Sequence, residues 1–354
     1  MKRREFLKKA TLAAAASSVL GPVYAQTQKR YRWRMTMSWP KALDVLYGGA
    51  EHIAKVVEVA TEGRLKIEIY EAGKLGHPLK VFETVQEGKA EMGHTATYYY
   101  LAKHPALAFG TAVPFGLNFR QQNAWFDEMG TRQLNEVLAD FGLLFYPAGN
   151  TGVQAGGWFR FPVNSIEDVR GLRMRIPGLG GTVMERLGAK SVVLPAAQIY
   201  DALKKGEIDA AEWVGPHDDE KLRFYEVARY YHYPGWWEPG ATLGVFINAR
   251  AWKQLDPGTQ KVVRAVLQAV NAEMMANYDR KNPVALERLI RKGAVLHAFP
   301  KDMLQVARKE SEALLDELSD DPAYRRILAD WRRFRTEVQR WFAVEERTYL
   351  LAQE

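Results

Sequence analysis

Between residues 31 and 95 the hydrophobic pattern changes period four times, and the same alternation returns between residues 166 and 216. Tyr31, Trp33, Met35 and Met37 alternate as in a strand, and Leu46, Ile53, Val56, Val57 and Ala60 follow with helical spacing up to a stop at Gly63. Residues 65–70 alternate again, 81–87 read as a helix ended by Gly88, and 91–95 as a strand running into Tyr98, Tyr99 and Tyr100. Strand, helix, strand, helix, strand admits few folds, because each crossover helix covers one face of a parallel sheet. The second block gives strands at 172–176 and 191–194, a glycine-rich loop at 177–181 before a short helix at 182–187, a helix at 198–206 and a strand opening at Ile208. The pattern predicts an α/β chain with two lobes.

Residues 109–119 read as a buried connector, 125–141 as a helix and 143–147 as a strand; 230–234 is a further strand. Residues 153–159 pass from the first block to the second and 242–248 pass back. Two crossings make a hinged pair with an interdomain cleft. The expected division is lobe I at 26–152 plus about 243–280, lobe II at 153–242 plus about 281–320, and a C-terminal helix at 321–354. Beyond Ala249 helices are expected at 257–276, 284–292, 300–318 and 324–351. In the last, Ile327, Trp331, Phe334, Val338 and Trp341 recur at alternating spacings of four and three, a seam suited to another helix of this chain or of a second copy.

More than half of the formal charge of +7 lies in the first 25 residues, where Lys2, Arg3, Arg4, Lys8 and Lys9 face only Glu5. The remaining surplus is too weak for a nucleic-acid surface. Residues 1–25 have the anatomy of an export signal: a charged start, a weakly apolar run at 10–20 too short for a bilayer, and Val23-Tyr24-Ala25 before Gln26. The adjacent arginines before Phe6-Leu7-Lys8 resemble a twin-arginine signal, with a Sec signal the other reading. Either route leads out of the cytoplasm. The absence of cysteine suits that destination and removes thiol catalysis and thiolate metal sites. No later run is long and apolar enough to span a membrane, so the mature chain is expected to be soluble.

Motifs for catalysis are missing. Gly178-Leu179-Gly180-Gly181 lacks the third glycine of a dinucleotide fingerprint, and there is no nucleophile elbow, phosphate loop or His-Glu-x-x-His. His217-Asp218-Asp219-Glu220 reads as a helix cap with acids in its first turn. What remains is a set of residues at strand ends and loops facing the cleft. Glu212 and Trp213 fall at the carboxyl end of the strand from Ile208, where open α/β sheets bind ligands. Arg175 ends the 172–176 strand, and its planar guanidinium suits a carboxylate; Arg173 reads as solvent-facing. Gln154 lies at the crossing and Glu238 near a later strand end. Two carboxylates, an amide oxygen and a backbone carbonyl would suit a hard cation, calcium or sodium.

Gly171-Leu-Arg-Met-Arg-Ile-Pro-Gly178, Glu185-Arg-Leu-Gly-Ala189 and Gly206-Glu-Ile-Asp-Ala-Ala-Glu-Trp-Val-Gly-Pro216 resemble the DctP-type extracytoplasmic solute receptors of TRAP transporters. Ala112-Val-Pro-Phe-Gly116 and Tyr233-Pro-Gly-Trp-Trp-Glu238 are similar to the branch that binds 2-oxo acids or lactate-like hydroxy acids. The resemblance implies a two-lobed periplasmic binding protein fold that closes on a small organic acid anion and delivers it to a membrane permease. It implies a carboxylate-binding role for Arg175 and metal contacts from Gln154, Glu212, the Trp213 backbone and Glu238. It also implies a homodimer through the C-terminal helix. Asn150, Tyr98 and Tyr100 are further expected ligand contacts. The alternative is an exported metal-dependent enzyme acting on a small carboxylate.

Overall fold

The computed structural model describes residues 29–353, so the expected export signal lies outside the described residues. The strands β1 (Tyr31–Met37), β2 (Leu65–Ile69), β3 (Met92–Thr95), β4 (Leu143–Asn150), β5 (Trp158–Phe159), β6 (Arg173–Arg175), β7 (Lys190–Val192), β8 (Ala210–Ala211), β9 (Tyr230–Tyr233), β10 (Thr242–Asn248) and β11 (Val295–Ala298) form two sheets. The first has the order β2-β1-β3-β10-β4 and the second β11-β9-β5-β8-β6-β7.

In the first sheet β1 pairs in parallel with β2 and β3, with α1 (Leu46–Ala60) and α2 (Val81–Gln86) as the crossovers the periodicity predicts. The returning β10 lies antiparallel between β3 and β4, so the sheet is mixed rather than parallel. In the second sheet β6 runs parallel to β7 and β8, and the incoming β5 lies antiparallel to β8 and β9. Each sheet thus takes in one antiparallel strand from the segment that arrives from the other lobe, which needs no crossover helix. The carboxyl ends of β1, β3, β6 and β8 lead to Trp39, Tyr98, Arg175 and Glu212, which meet between the sheets.

The helices differ from expectation in four places. The helix expected from 125 begins at Phe119, as α3 (Phe119–Trp125), because Asn118 and Gln121 form a reciprocal cap; a wider π-helical turn at Phe126–Gly130 joins it to α4 (Thr131–Leu138). The loop expected at 177–181 is the first turn of α5 (Gly178–Arg186). Gly178 takes φ +66° there, and a Cβ would stand 3.2 Å from Tyr98, so glycine lets the helix begin against that ring. After α6 (Ala196–Lys205), α7 (Pro216–Lys221) and α8 (Ala249–Gln254), the two helices expected at 257–276 and 284–292 are one helix of 35 residues, α9 (Pro257–Arg291). Pro283 removes one backbone bond, but buried Tyr278, Ala285 and Leu289 and the Arg288–Glu220 ion pair at 2.6 Å hold the continuation in place. α10 (Lys301–Glu317) follows β11.

The C-terminal helix is interrupted at Glu345, giving α11 (Pro322–Val344) and α12 (Glu346–Leu351). Its seam divides. Ile327 and Trp331 are fully buried in their own chain, Trp331 lying 5.6 Å from Phe109 between ring centroids, whereas Trp341 is 59% exposed. The first half of the seam is core. No described helix is long and apolar enough to cross a membrane.

Candidate ligand and cation site

Arg175 ends β6 and is 1% exposed. Its guanidinium donates to the Glu212 carbonyl at 2.8 Å, the Leu194 carbonyl at 3.1 Å and the Tyr99 hydroxyl at 3.4 Å, and pairs with a Glu212 carboxylate oxygen. It also lies 4.9 Å from the Trp213 ring. Arg173, two residues earlier, is 44% exposed at its side chain and forms a two-pronged pair with Asp209. One strand therefore sends one arginine to solvent and one into the cleft.

The carboxylates outnumber that guanidinium. Glu212 and Glu238 are both buried, and each keeps one carboxylate oxygen without a hydrogen-bond partner. Gln154 donates its amide nitrogen to Thr151 Oγ1 at 3.1 Å, which leaves its buried amide oxygen unpartnered as well. Gly235 approaches so closely that a Cβ would stand 2.5 Å from the Gln154 carbonyl, bringing the loop of Glu238 against the crossing segment; the Gln154 N–H donates to the Glu238 carbonyl at 3.3 Å. Burial, then the Glu212 charge, drives the Glu238 carboxyl far above the usual range; burial also raises Glu212, with Arg175 opposing it. Among the described residues the Trp213 carbonyl accepts no backbone bond.

Three dry oxygens, two of them on carboxylates that repel one another, and a free carbonyl are the donor set of a hard cation. Buried polar atoms are paired in nearly all native sites, so three orphans in one place indicate a missing partner. The residues fit calcium or sodium.

A narrow cavity beside this cluster is lined by Trp39, Tyr98, Tyr99, Thr151, Gln154 and Trp213, with aliphatic side chains completing it. Trp39 meets Trp213 edge to face at 6.3 Å and donates to His94 Nδ1 at 2.7 Å; burial brings the His94 pKa down to about 4. The structure corrects two expected contacts. Tyr100 points away from the cleft: its ring packs on Phe82 and Phe246 and its hydroxyl meets Thr95 at 2.9 Å. In a tight helical turn successive side chains diverge, so Tyr98 and Tyr99 face the cavity and Tyr100 the core. Asn150 is buried, but its side chain is spent inside its own lobe, donating to Thr242 at 3.2 Å and accepting from the Gly152 N–H at 2.8 Å. It shapes the turn that carries Thr151 and Gln154.

The sequence pattern does not single out Tyr99, Trp39 and Thr151 for the cavity they line; the position of Trp39 just past β1 is the signal that finds it. The acids of α7 lie in its first turn as expected, but none of them caps it. Gly215 occupies the cap of α7; Asp218 is buried and accepts from the Tyr278 hydroxyl at 2.8 Å, and Asp219 accepts from Trp158 at 3.0 Å and Tyr231 at 2.8 Å. Burial pushes them up to about 7 and about 6.

Two lobes meeting at a narrow aromatic cavity beside a buried charged cluster have the architecture of a solute-binding receptor. The chain belongs to the DctP family, the bacterial extracellular solute-binding proteins of family 7, whose model matches residues 35–321. It is 44% identical over 99% of its length, and 98% of the relative's, to a monocarboxylate 2-oxoacid-binding periplasmic protein of Nostoc sp.. A TRAP transporter solute-binding protein of Bordetella bronchiseptica, a dimer holding copurified calcium and picolinate, is 41% identical with a TM-score of 0.90, covering 92% of this chain and 98% of that one. One from Pseudoalteromonas atlantica with bound sodium and pyruvate is 35% identical with a TM-score of 0.89, covering 92% and 100%. The chain is thus a transport receptor, and the enzyme alternative falls.

Proposed function

We propose that this receptor captures a small 2-oxo or 2-hydroxy monocarboxylate, pyruvate- or lactate-like, together with a calcium ion, and delivers it to a TRAP permease. The observation that carries the reading is the cluster of unpartnered buried oxygens on Gln154, Glu212 and Glu238 beside the buried Arg175. In this reading Gln154, Glu212, Glu238 and the Trp213 carbonyl hold the cation, and Arg175 takes the ligand carboxylate. The cation supplies positive charge to the carboxylate and the adjacent oxo or hydroxyl oxygen. Tyr98, Tyr99, Trp39 and Trp213 limit the side chain of the acid.

Charge favours calcium over sodium. A monocarboxylate joining Glu212 and Glu238 brings three negative charges into a dry site; Arg175 and a divalent ion balance them, whereas a monovalent ion leaves one uncompensated at a cost of several kcal/mol. The branch resemblance and the acids held by the two similar structures support the ligand class.

The lobes we assign are 26–152 with about 243–280 and 153–242 with about 281–320, following sheet membership, although α9 runs unbroken through position 280. The protein works in the periplasm after export through residues 1–25, by a twin-arginine signal. The exposed Trp341, Val344, Tyr349, Leu350 and Leu351 give α11 and α12 an apolar surface for a homodimer. Mass spectrometry of denatured protein, with metal analysis of the same sample, tests the central claim. A stoichiometric oxo or hydroxy acid with calcium is expected; a ligand without a carboxylate refutes it.

A further inference from the structure

Asp44 stands outside the cavity, in the loop between β1 and α1, and belongs to the lobe of the first sheet. Its carboxylate gathers three basic side chains. His217 Nε2 approaches one oxygen at 2.8 Å, Lys221 pairs with the same oxygen, and Lys281 donates to the other at 2.6 Å. His217 and Lys221 lie on α7, which follows the second sheet's β8 only three residues after Trp213. Sequence separations of 173 to 237 residues make this a tertiary junction rather than a local pair.

The cluster is not a metal site. Asp44, His217 and Asp218 could between them offer three ligand atoms, but two ammonium groups already occupy the Asp44 oxygens, and Asp218 is turned to Tyr278. Nor does Asp44 touch the cavity. α7 itself is fastened to α9 by Tyr278–Asp218 at 2.8 Å, Asn282 to the His217 N–H at 3.1 Å and Arg288–Glu220 at 2.6 Å. The basic groups therefore sit on α7 and on the turn of α9 that braces it, and the carboxylate that pairs with those of α7 is carried by the first sheet's lobe.

We propose that Asp44 is an interlobe latch: a positioning residue that holds the receptor shut over its ligand by neutralising His217, Lys221 and Lys281 across the mouth of the cleft. The inference rests on the reading that the cleft closes over a bound acid. Without Asp44 the basic groups on α7 and α9 meet no carboxylate across the rim, so removing it deletes the attraction that holds the lobes together. Burial lowers the His217 pKa and the carboxylate opposes that shift, so the lysines carry most of the charge near neutrality. α7 connects the two sites. A ligand that fixes Glu212 and Trp213 also fixes the start of α7, and thereby brings His217 and Lys221 to Asp44.

The chain has no cysteine, so Lys66→Cys with Lys204→Cys, both exposed and one on each lobe, gives a clean spin-label pair. The expected result for Asp44→Asn is a shift of the interlobe distance distribution to longer values with or without ligand. Stopped-flow tryptophan fluorescence with pyruvate and calcium should give about a tenfold faster dissociation, equal to about 1.4 kcal/mol, with association changed less than about twofold. Asp44→Lys should open the lobes further, and adding Lys221→Glu should restore part of the closure. An unchanged distance distribution and an unchanged dissociation rate in Asp44→Asn overturn the latch. If wild type fails to bind pyruvate with calcium, the functional reading fails, while the distance measurement still decides the latch.

Discussion

The cleft and its rim are both charged clusters, built with opposite imbalances. Around Arg175 two buried carboxyls, of which only Glu212 pairs with the guanidinium, leave oxygens unpartnered; around Asp44 one half-exposed carboxylate serves two ammonium groups and an imidazole. An excess of acceptors in a dry site is costly until a cation and a ligand arrive, so it stores specificity for them. An excess of donors at a wet rim is cheap, because water screens it, and contributes only modestly to closure. The location of the imbalance, rather than its size, separates the proposed binding site from the proposed latch.

Removing Arg175 is the strongest way to break this comparison. Arg175→Ala should abolish binding of pyruvate with calcium by calorimetry and cost about 3–5 kcal/mol of unfolding free energy, because Glu212 is left buried without its partner. Arg175→Lys, which keeps the charge and loses the fork, should recover stability more than affinity. Near-native affinity in Arg175→Ala would take the residue out of the site.

Glu212→Gln and Glu238→Gln come next. Each should weaken calcium-dependent binding about 10- to 100-fold. Glu238→Gln should leave the ligand-free protein no less stable, since Glu238 has no ion-pair partner among the described residues, whereas Glu212→Gln should destabilise it by leaving Arg175 buried without its carboxylate. Equal affinity with and without chelator in wild type would remove the cation from the cleft and with it half of the contrast.

Acid separates the interior from the rim. His94 and His232 are held neutral by burial, their pKa values brought down to about 4 and about 3, so the unfolded chain binds protons that the folded chain refuses. Their contribution is full above the unfolded value near 6.5 and is lost as pH falls from there toward the folded values, about 2 kcal/mol for each between pH 7 and pH 5. Burial would raise the Asp44 carboxyl, but its hydrogen bonds with Lys221, Lys281 and His217 hold it far below the usual carboxylate range, so it stays ionised over that interval. The buried carboxyls of Glu212, Glu238, Asp218 and Asp219, raised by burial, act in the opposite sense over this interval. Denaturant titrations of wild type against His94→Gln at the two pH values should therefore isolate the histidine loss, wild type losing about 2 kcal/mol relative to the variant, while interlobe distance holds. The smallest effect separates neighbouring tyrosines: Tyr99→Phe should weaken binding severalfold, and Tyr100→Phe should leave binding alone and lower stability by about 1 kcal/mol.

Much of the candidate site was legible because strand ends are readable. Glu212 and Trp213 follow an apolar run and Arg175 ends another, and the rule that α/β sheets bind ligands at such ends needs no coordinates. Tyr100 and Asn150 failed for one reason. Each sits beside a cavity-lining residue in the chain, and the direction of a side chain in a tight turn depends on packing that a linear pattern does not encode. The junction of α9 failed differently: Pro283 is a breaker by local rules, and only burial of Tyr278, Ala285 and Leu289 outweighs it.

The sequence by itself determined the alternation of strands and helices, the two-lobed α/β class and the residue types gathered at the cleft, since periodicity and chain-end chemistry are local properties. Tertiary structure decided which strands run antiparallel, which tyrosines line the cavity, that Gln154, Glu212 and Glu238 keep unpartnered oxygens, and that Asp44 meets lysines more than 170 residues away. Those outcomes depend on burial and on distances between remote segments, and only folding creates them.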